Sequence, residues 1–216
     1  MTGVSSAIQQ ERDSLDFSGK MLDGASFVDR MIKHACFDRA SLRRANFTRA
    51  EFQDCTFVGA CLDGAIMERT IFENCDFANA TMTNANLQEA VFRATAVLGY
   101  SNKQATFRQA KTNFSGAVLD GSNFNRARLV AATIHNVRAS NVDFSNCDLR
   151  NSSFDGTSFN DVNFSGAKLQ DANFAKCPDA RNHLPAYAQM IATFVQPISA
   201  AKLDAVLKAH QLWLDT

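Results

Sequence analysis

The sequence predicts an all-β solenoid, a chain wound into a four-sided coil and finished at its C-terminal end by an α-helical cap. Three observations carry this reading. All but one of the 18 Phe residues fall on two combs with a period of five residues. Phe17, Phe27, Phe37, Phe47, Phe52, Phe57, Phe72, Phe77, Phe92 and Phe107 share one phase, and Phe114, Phe124, Phe144, Phe154, Phe159, Phe164 and Phe174 share a second. Most other teeth are Leu, Ile, Met or Val, and the residue two places before each tooth is mostly Ala, with Cys, Ser, Thr or Val elsewhere. At a spacing of 20 residues like side chains line up: Phe37, Phe57 and Phe77, then Phe124, Phe144 and Phe164, and beside them Leu129, Leu149 and Leu169.

A period of five suits neither an amphipathic helix nor a half-buried strand. A unit with one large and one small inward residue suits one side of a polygon. Four sides make a 20-residue turn, and like side chains stacked turn on turn fill a narrow core densely. In chain order, residues 1–16 form a lead-in and the coil spans 17–177. Its first turn is expected to be loose, because Lys20 and Arg30 occupy the small slot. The phase slips by two residues between Phe107 and Phe114. A bulge or small loop at 98–104, followed by a two-residue insertion at 110–111, accounts for the slip and interrupts the coil over 98–113. Insertions in a solenoid emerge on one side and often bind partners, although decay of the repeat produces the same slip.

After Cys177 the pattern changes, and 178–216 form a tail. LPAYAQMIATFVQ (184–196) reads as a short helix with Pro185 in its first turn. Ser199 can cap a second helix carrying an apolar stripe at helical spacing. A β-helix must cover the strand edges of its last turn. Leu203, Val206, Leu207, Trp213 and Leu214 are therefore candidate contacts for a cap or for a homodimer. A connector to a second block of repeats is the third reading, and the residues leave all three open.

The units ANFTR (45–49), AEFQD (50–54), ANLQE (85–89), AVLDG (117–121), VNFSG (162–166) and AKLQD (167–171) resemble A(D/N)LXX pentapeptide repeats. Over about 17–177 the chain resembles the pentapeptide-repeat family, which implies a right-handed quadrilateral β-helix. The ending LDAVLKAHQLWLDT is similar to a segment that leads into further repeats in larger bacterial members. The best-known branch, the Qnr and MfpA-like group, resembles double-stranded DNA in shape and charge, binds DNA gyrase and protects it from quinolones or peptide toxins. This chain shares the size, the single rod, the interruption and the tail of that branch, and departs from it in charge.

Lys plus Arg and Asp plus Glu are both 22, so the chain lacks the charge excess of a nucleic-acid binder or of a DNA mimic. On a stacked lattice the signs alternate: Asp23-Gly24, Arg43-Arg44 and Asp63-Gly64 follow one another at one corner. The nearest thing to a patch is basic, with Arg30, Lys33, Arg39, Arg43, Arg44 and Arg49 diluted by Asp29, Asp38, Glu51 and Asp54. The four His are scattered, and no nucleophile elbow, phosphate loop or metal-ligand spacing is present. Cys55, Cys75 and Cys147 sit in small inward slots and read as core filler. The opening MTGVSSAIQQERDSLD has no apolar stretch of a signal peptide, and no apolar run reaches the length of about 18 residues that spans a bilayer. These features point to a cytoplasmic, non-enzymatic interaction scaffold with no cofactor, no membrane contact, no direct nucleic-acid contact and an unknown protein partner.

Overall fold

The computed structural model describes residues 15–101, 104–109, 112–177 and 180–186. Over these residues the chain is a parallel β-solenoid whose turns are hydrogen-bonded to one another at a spacing of 20 residues. Units in the middle of the coil contribute the same three bonds between turns. In the unit centred on Phe37, Phe37 N–H donates to Thr56 C=O at 2.7 Å, Arg39 N–H to Val58 C=O at 2.9 Å, and Cys36 N–H to Leu15 C=O at 2.9 Å. The main-chain polar groups of the wall are thus consumed within the wall.

The corners explain the five-residue period. Ala40 N–H donates back to Phe37 C=O at 3.0 Å, and Arg39 between them has φ 57°. A bond from the fourth residue to the first, with positive φ at the third, is a type II β-turn. The same corner recurs along the wall and is filled chiefly by Gly, Asn, Asp and Arg. Gly, Asn and Asp tolerate this left-handed conformation best.

One corner in four opens into a short strand instead. β1 (Met31–Lys33), β2 (Glu51–Gln53), β3 (Ile71–Glu73) and β4 (Val91–Arg93) form a parallel sheet in that order, with Ile32 beside Phe52, Phe72 and Phe92 in register. The chain then leaves the wall as an antiparallel hairpin, β5 (Ala96–Ser101) and β6 (Gln104–Gln109), paired from Ala96 and Gln109 to Ser101 and Gln104. After the hairpin the strands move to a different side of the coil: β7 (Arg138–Ser140) and β8 (Ser158–Asn160) pair in parallel, centred on Ala139 and Phe159.

The wall closes across this excursion. Phe77, Met82, Leu87 and Phe92 donate their N–H groups to Asn113, Val118, Asn123 and Arg128 at 2.7–2.9 Å. The spacing here is 37 rather than 20, so 17 residues leave the coil and the wall resumes without a defect. The two-residue slip of the combs is the remainder of 17 over five. This corrects the expected loop plus two-residue insertion: there is one excursion, and Val97 and Phe107 belong to the hairpin strands rather than to coil sides. Asn102 lies outside the described residues.

The core is a bundle of ladders. Phe37, Phe57 and Phe77 stack with ring centroids 4.9 Å apart, and Phe114 continues the ladder across the hairpin at 5.2 Å from Phe77. Phe144 lies between Phe124 at 5.0 Å and Phe164 at 5.4 Å. Leu129, Leu149 and Leu169 are buried on the next side. Rings on neighbouring sides meet edge to face, as Phe52 does with Phe57 at 5.5 Å and 72°, which suits the ring quadrupole.

The first turn is not loose. Its corners at Lys20, Ala25 and Arg30 make the same turn bonds as the rest, with Lys20 and Arg30 exposed. At the other end, α1 (Ala180–His183) packs against β8, and Ala180 and Leu184 are buried. The helices expected over 184–196 and 199–216 lie largely or wholly outside the described residues, so the α-helical cap of the sequence reading is not part of the observed architecture beyond α1. No helix among the described residues is long and apolar enough to cross a membrane.

Candidate functional site

The outer wall is the candidate site, and its construction starts with the residue before each centre. Asn46 Oδ1 accepts the N–H of Thr48 at 3.0 Å, and Asn86, Asn123 and Asn163 do the same for the amide two residues on, at 2.9–3.1 Å. This is the short-range side-chain turn that Asn and Asp favour. A second set of carboxylates binds one turn further along: Asp38, Asp63 and Asp120 accept the N–H of Val58, Thr83 and Ser140 at 2.9–3.0 Å. Much of the wall's acid and amide content is thereby engaged in holding the coil.

Other charges pair chiefly from turn to turn. Arg49 grips Asp29 with two bonds of 2.7 Å, which hold the Asp29 carboxyl below its ordinary range. Arg69 lies 2.8 Å from Glu89, and Arg126 approaches the same carboxylate at 3.7 Å from the next turn. The Arg69 hydrogen bond is the main cause that lowers Glu89. Arg138 pairs with Asp120 at 2.6 Å and Arg150 with Asp148 at 2.7 Å. Along the corner Asp29, Arg49, Arg69, Glu89, Arg126 the sign changes repeatedly, so this column is not an acidic track. The basic patch seen in the sequence is partly neutralised: Arg49 is spent on Asp29, whereas Arg39, Arg43 and Arg44 make no ion pair with a described residue.

The thiols are structural. Cys55, Cys75 and Cys147 are buried in the small slots, and Cys147 Sγ donates to Phe124 C=O at 2.8 Å. Burial pushes the thiols of Cys75 and Cys147 up, and that of Cys177 to about 11. Such thiols are poor nucleophiles near neutrality. A base and a hydroxyl do meet on one side: His135 Nε2 and Ser153 Oγ lie 2.8 Å apart. The carboxylate of Asp155 is held by Lys176 Nζ at 3.1 Å, and no described carboxylate is hydrogen-bonded to the imidazole, so the third, orienting group of a nucleophilic triad is not engaged. Among the described residues no group of three His, Cys, Asp or Glu side chains is placed to hold a metal ion.

The core residues Phe37, Phe57, Phe77, Phe124, Phe144, Phe164, Leu129, Leu149 and Leu169 all lie on the inner ladders and none reaches the wall surface. The tail residues Leu203, Val206, Leu207, Trp213 and Leu214 lie outside the described residues. The sequence reading missed the root of the hairpin, where Thr95 N–H donates to Asn74 Oδ1 and Asn74 Nδ2 returns a bond to Thr95 Oγ1, both at 2.9 Å. No signal in the sequence marks that pair, because it depends on the coil register.

A five-residue side, a type II corner and a ring ladder every 20 residues define a repeat rod of the parallel β-solenoid class. Residues 33–69 and 59–94 match the family described as pentapeptide repeats (8 copies), and residues 110–178 match that described as pentapeptide repeat region. The chain belongs to the pentapeptide-repeat family. Among solved structures it is similar to HetL, a pentapeptide repeat protein involved in heterocyst differentiation regulation from the cyanobacterium Nostoc sp. strain PCC 7120. The identity is 16% and the TM-score 0.53, over 81% of this chain and 83% of that one. Full-length QnrB1, a plasmid-mediated fluoroquinolone resistance protein, is 14% identical with a TM-score of 0.39, over 89% of this chain and 97% of that one. The HetL likeness bears on the fold alone. No curated protein matches the chain.

Proposed function

We propose that the protein is a non-enzymatic, cytoplasmic scaffold for protein–protein interaction, in which a stiff rod presents one hairpin and a wall of mixed charge. The observation that carries this reading is the closure of the coil around β5 and β6: the turns before and after the hairpin bond directly to one another, and the hairpin is rooted to the wall through Thr95 and Asn74. An added loop on a rigid repeat support is a common way to build a binding element. The test is capture from the native host by the intact protein and by a variant lacking 95–111. A reproducible protein partner that is lost with the hairpin supports the reading. No protein partner for the intact chain contradicts it.

The alternating charge of the wall argues against the DNA-mimic alternative, which needs carboxylates aligned like phosphates to engage DNA gyrase. For the tail we propose that Leu203, Val206, Leu207, Trp213 and Leu214 complete the cover begun by α1 and join two copies end to end. Each such side chain, once buried, contributes about 1.5–3 kcal/mol. Sedimentation at two concentrations is expected to show a dimer, and a strict monomer at high micromolar protein removes the end-to-end contact.

A further inference from the structure

We infer that Arg39, Arg43 and Arg44 form a docking surface for an acidic protein segment; this rests on the scaffold reading and names the chemistry of one partner. The first ground is what these arginines lack. Arg49, Arg69, Arg126, Arg138 and Arg150 each approach a carboxylate within 3.7 Å or less, while Arg39, Arg43 and Arg44 have no ion pair with a described residue. Carboxylates do stand beside them; each accepts a wall amide, and Arg43 acts on Asp23 and Asp63 without closing an ion pair. Asp38 accepts the Val58 amide at 2.9 Å. Asp23 accepts Ser41 Oγ at 2.5 Å and the Arg43 amide at 3.0 Å, and Asp63 accepts the Thr83 amide at 3.0 Å. Arg43 Nη1 donates to Ser41 Oγ at 2.8 Å, which leaves the exposed guanidinium groups of Arg39 and Arg44 in the same turn without an ion pair to a described residue.

The second ground is where they stand. Arg39 and Arg44 occupy left-handed corners at φ 57° and 55°, and the same corners one turn before and one turn after are glycines: Gly19 and Gly59 about Arg39, Gly24 and Gly64 about Arg44. A side chain at such a corner costs stability relative to glycine, the residue that the adjacent turns use at both positions. The glycines also leave room. A Cβ on Gly59 would lie 3.6 Å from Arg39 Cγ, and one on Gly64 would lie 3.4 Å from Arg44 Cγ. Each arginine stem thus runs over bare backbone in one of two neighbouring grooves, Arg39 in one and Arg43 and Arg44 in the other.

The chemistry that fits is a set of separate carboxylates. A guanidinium takes a carboxylate through two parallel bonds. Asp23 and Asp63 flank the Arg43 and Arg44 groove and repel a continuous polyanion, which disfavours nucleic acid and favours Asp and Glu side chains that can be spaced around them.

The test uses the full chain and the double variant R39G/R44G, which puts at both corners the residue already present in the adjacent turns. The probe is a fluorescein-labelled peptide of Glu residues spaced by Gly and Ser, read by anisotropy, with a short duplex DNA of matched charge in parallel. The intact protein is expected to bind the peptide, more weakly as salt rises, and the double variant to lose about ten-fold or more in affinity with a thermal melt at or above that of the intact protein. R126G, which removes an arginine already near Glu89, is expected to stay within about two-fold. No peptide binding by the intact protein at low salt, equal binding by R39G/R44G, or tighter binding of the duplex overturns the inference. A partner captured through the hairpin by R39G/R44G leaves the scaffold reading standing while this one fails.

Discussion

Phe144→Asp is expected to abolish cooperative folding of the rod. The ring is buried between Phe124 at 5.0 Å and Phe164 at 5.4 Å, and meets Phe154 edge-on at 6.2 Å. Substitution removes a stacked ring, worth about 3–5 kcal/mol in a packed core. It also buries a carboxylate with no donor, which adds several kcal/mol more. Domains of this size are stable by about 5–15 kcal/mol, so the sum approaches or exceeds what holds the protein folded. Asn146→Asp is the control: Asn146 is an exposed corner residue at φ 58°, a conformation that Asp also tolerates, and the change should stay below about 0.5 kcal/mol. Thermal melts of the two variants read the contrast, and equal midpoints would mean that the inner ladder is not the core.

Gly121→Val should be the next most damaging change. Gly121 sits at φ 67°, a region a β-branched residue enters only under strain, and a Cβ there would meet Asn84 Oδ1 of the preceding turn. Strain and clash together should cost about 2–3 kcal/mol. Gly24→Val separates the two contributions, since φ there is 68° but a new Cβ meets no atom within 4 Å. Chemical denaturation should therefore show Gly121→Val well below Gly24→Val in stability. Equal losses would assign the whole effect to backbone strain and remove the turn-to-turn contact from the account.

The coil was legible in the sequence because each unit meets the same demands. A side five residues long has one inward ring, one small slot and one left-handed corner, and few residue types satisfy each. Phe37, Phe57 and Phe77 show the ring ladder, and Gly59, Gly64, Asn79 and Asn84 show the corner. The interruption was legible in the phase slip, but its hairpin form was not, because Val97 and Phe107 continue the comb by coincidence. The two residues between its strands, Asn102-Lys103, also lack the glycine that marks the commonest two-residue hairpins. The charge pattern was legible only in part. The sequence shows Arg39, Arg43, Arg44 and Arg49 as one cluster, but that Asp29 takes Arg49 while Asp23, Asp38 and Asp63 turn to backbone amides depends on the contact register between turns. The roles of Asn46, Asn86 and Asn123 as acceptors for the amide two residues on were hidden for the same reason: the sequence shows a polar residue before the centre and not the bond it makes.

The central claim is that one unbroken coil runs past the hairpin, which is an addition to it. Deletion of 95–111 removes the 17 residues that separate a spacing of 37 from one of 20, and places Thr112 in the small slot that follows Phe92. Closing a shorter loop also costs less entropy. The deletion variant is expected to melt in a single cooperative transition at or above the midpoint of the intact protein. A broadened or split transition, or a midpoint lowered by many degrees, would show that the hairpin is part of the coil's own structure and would contradict the claim.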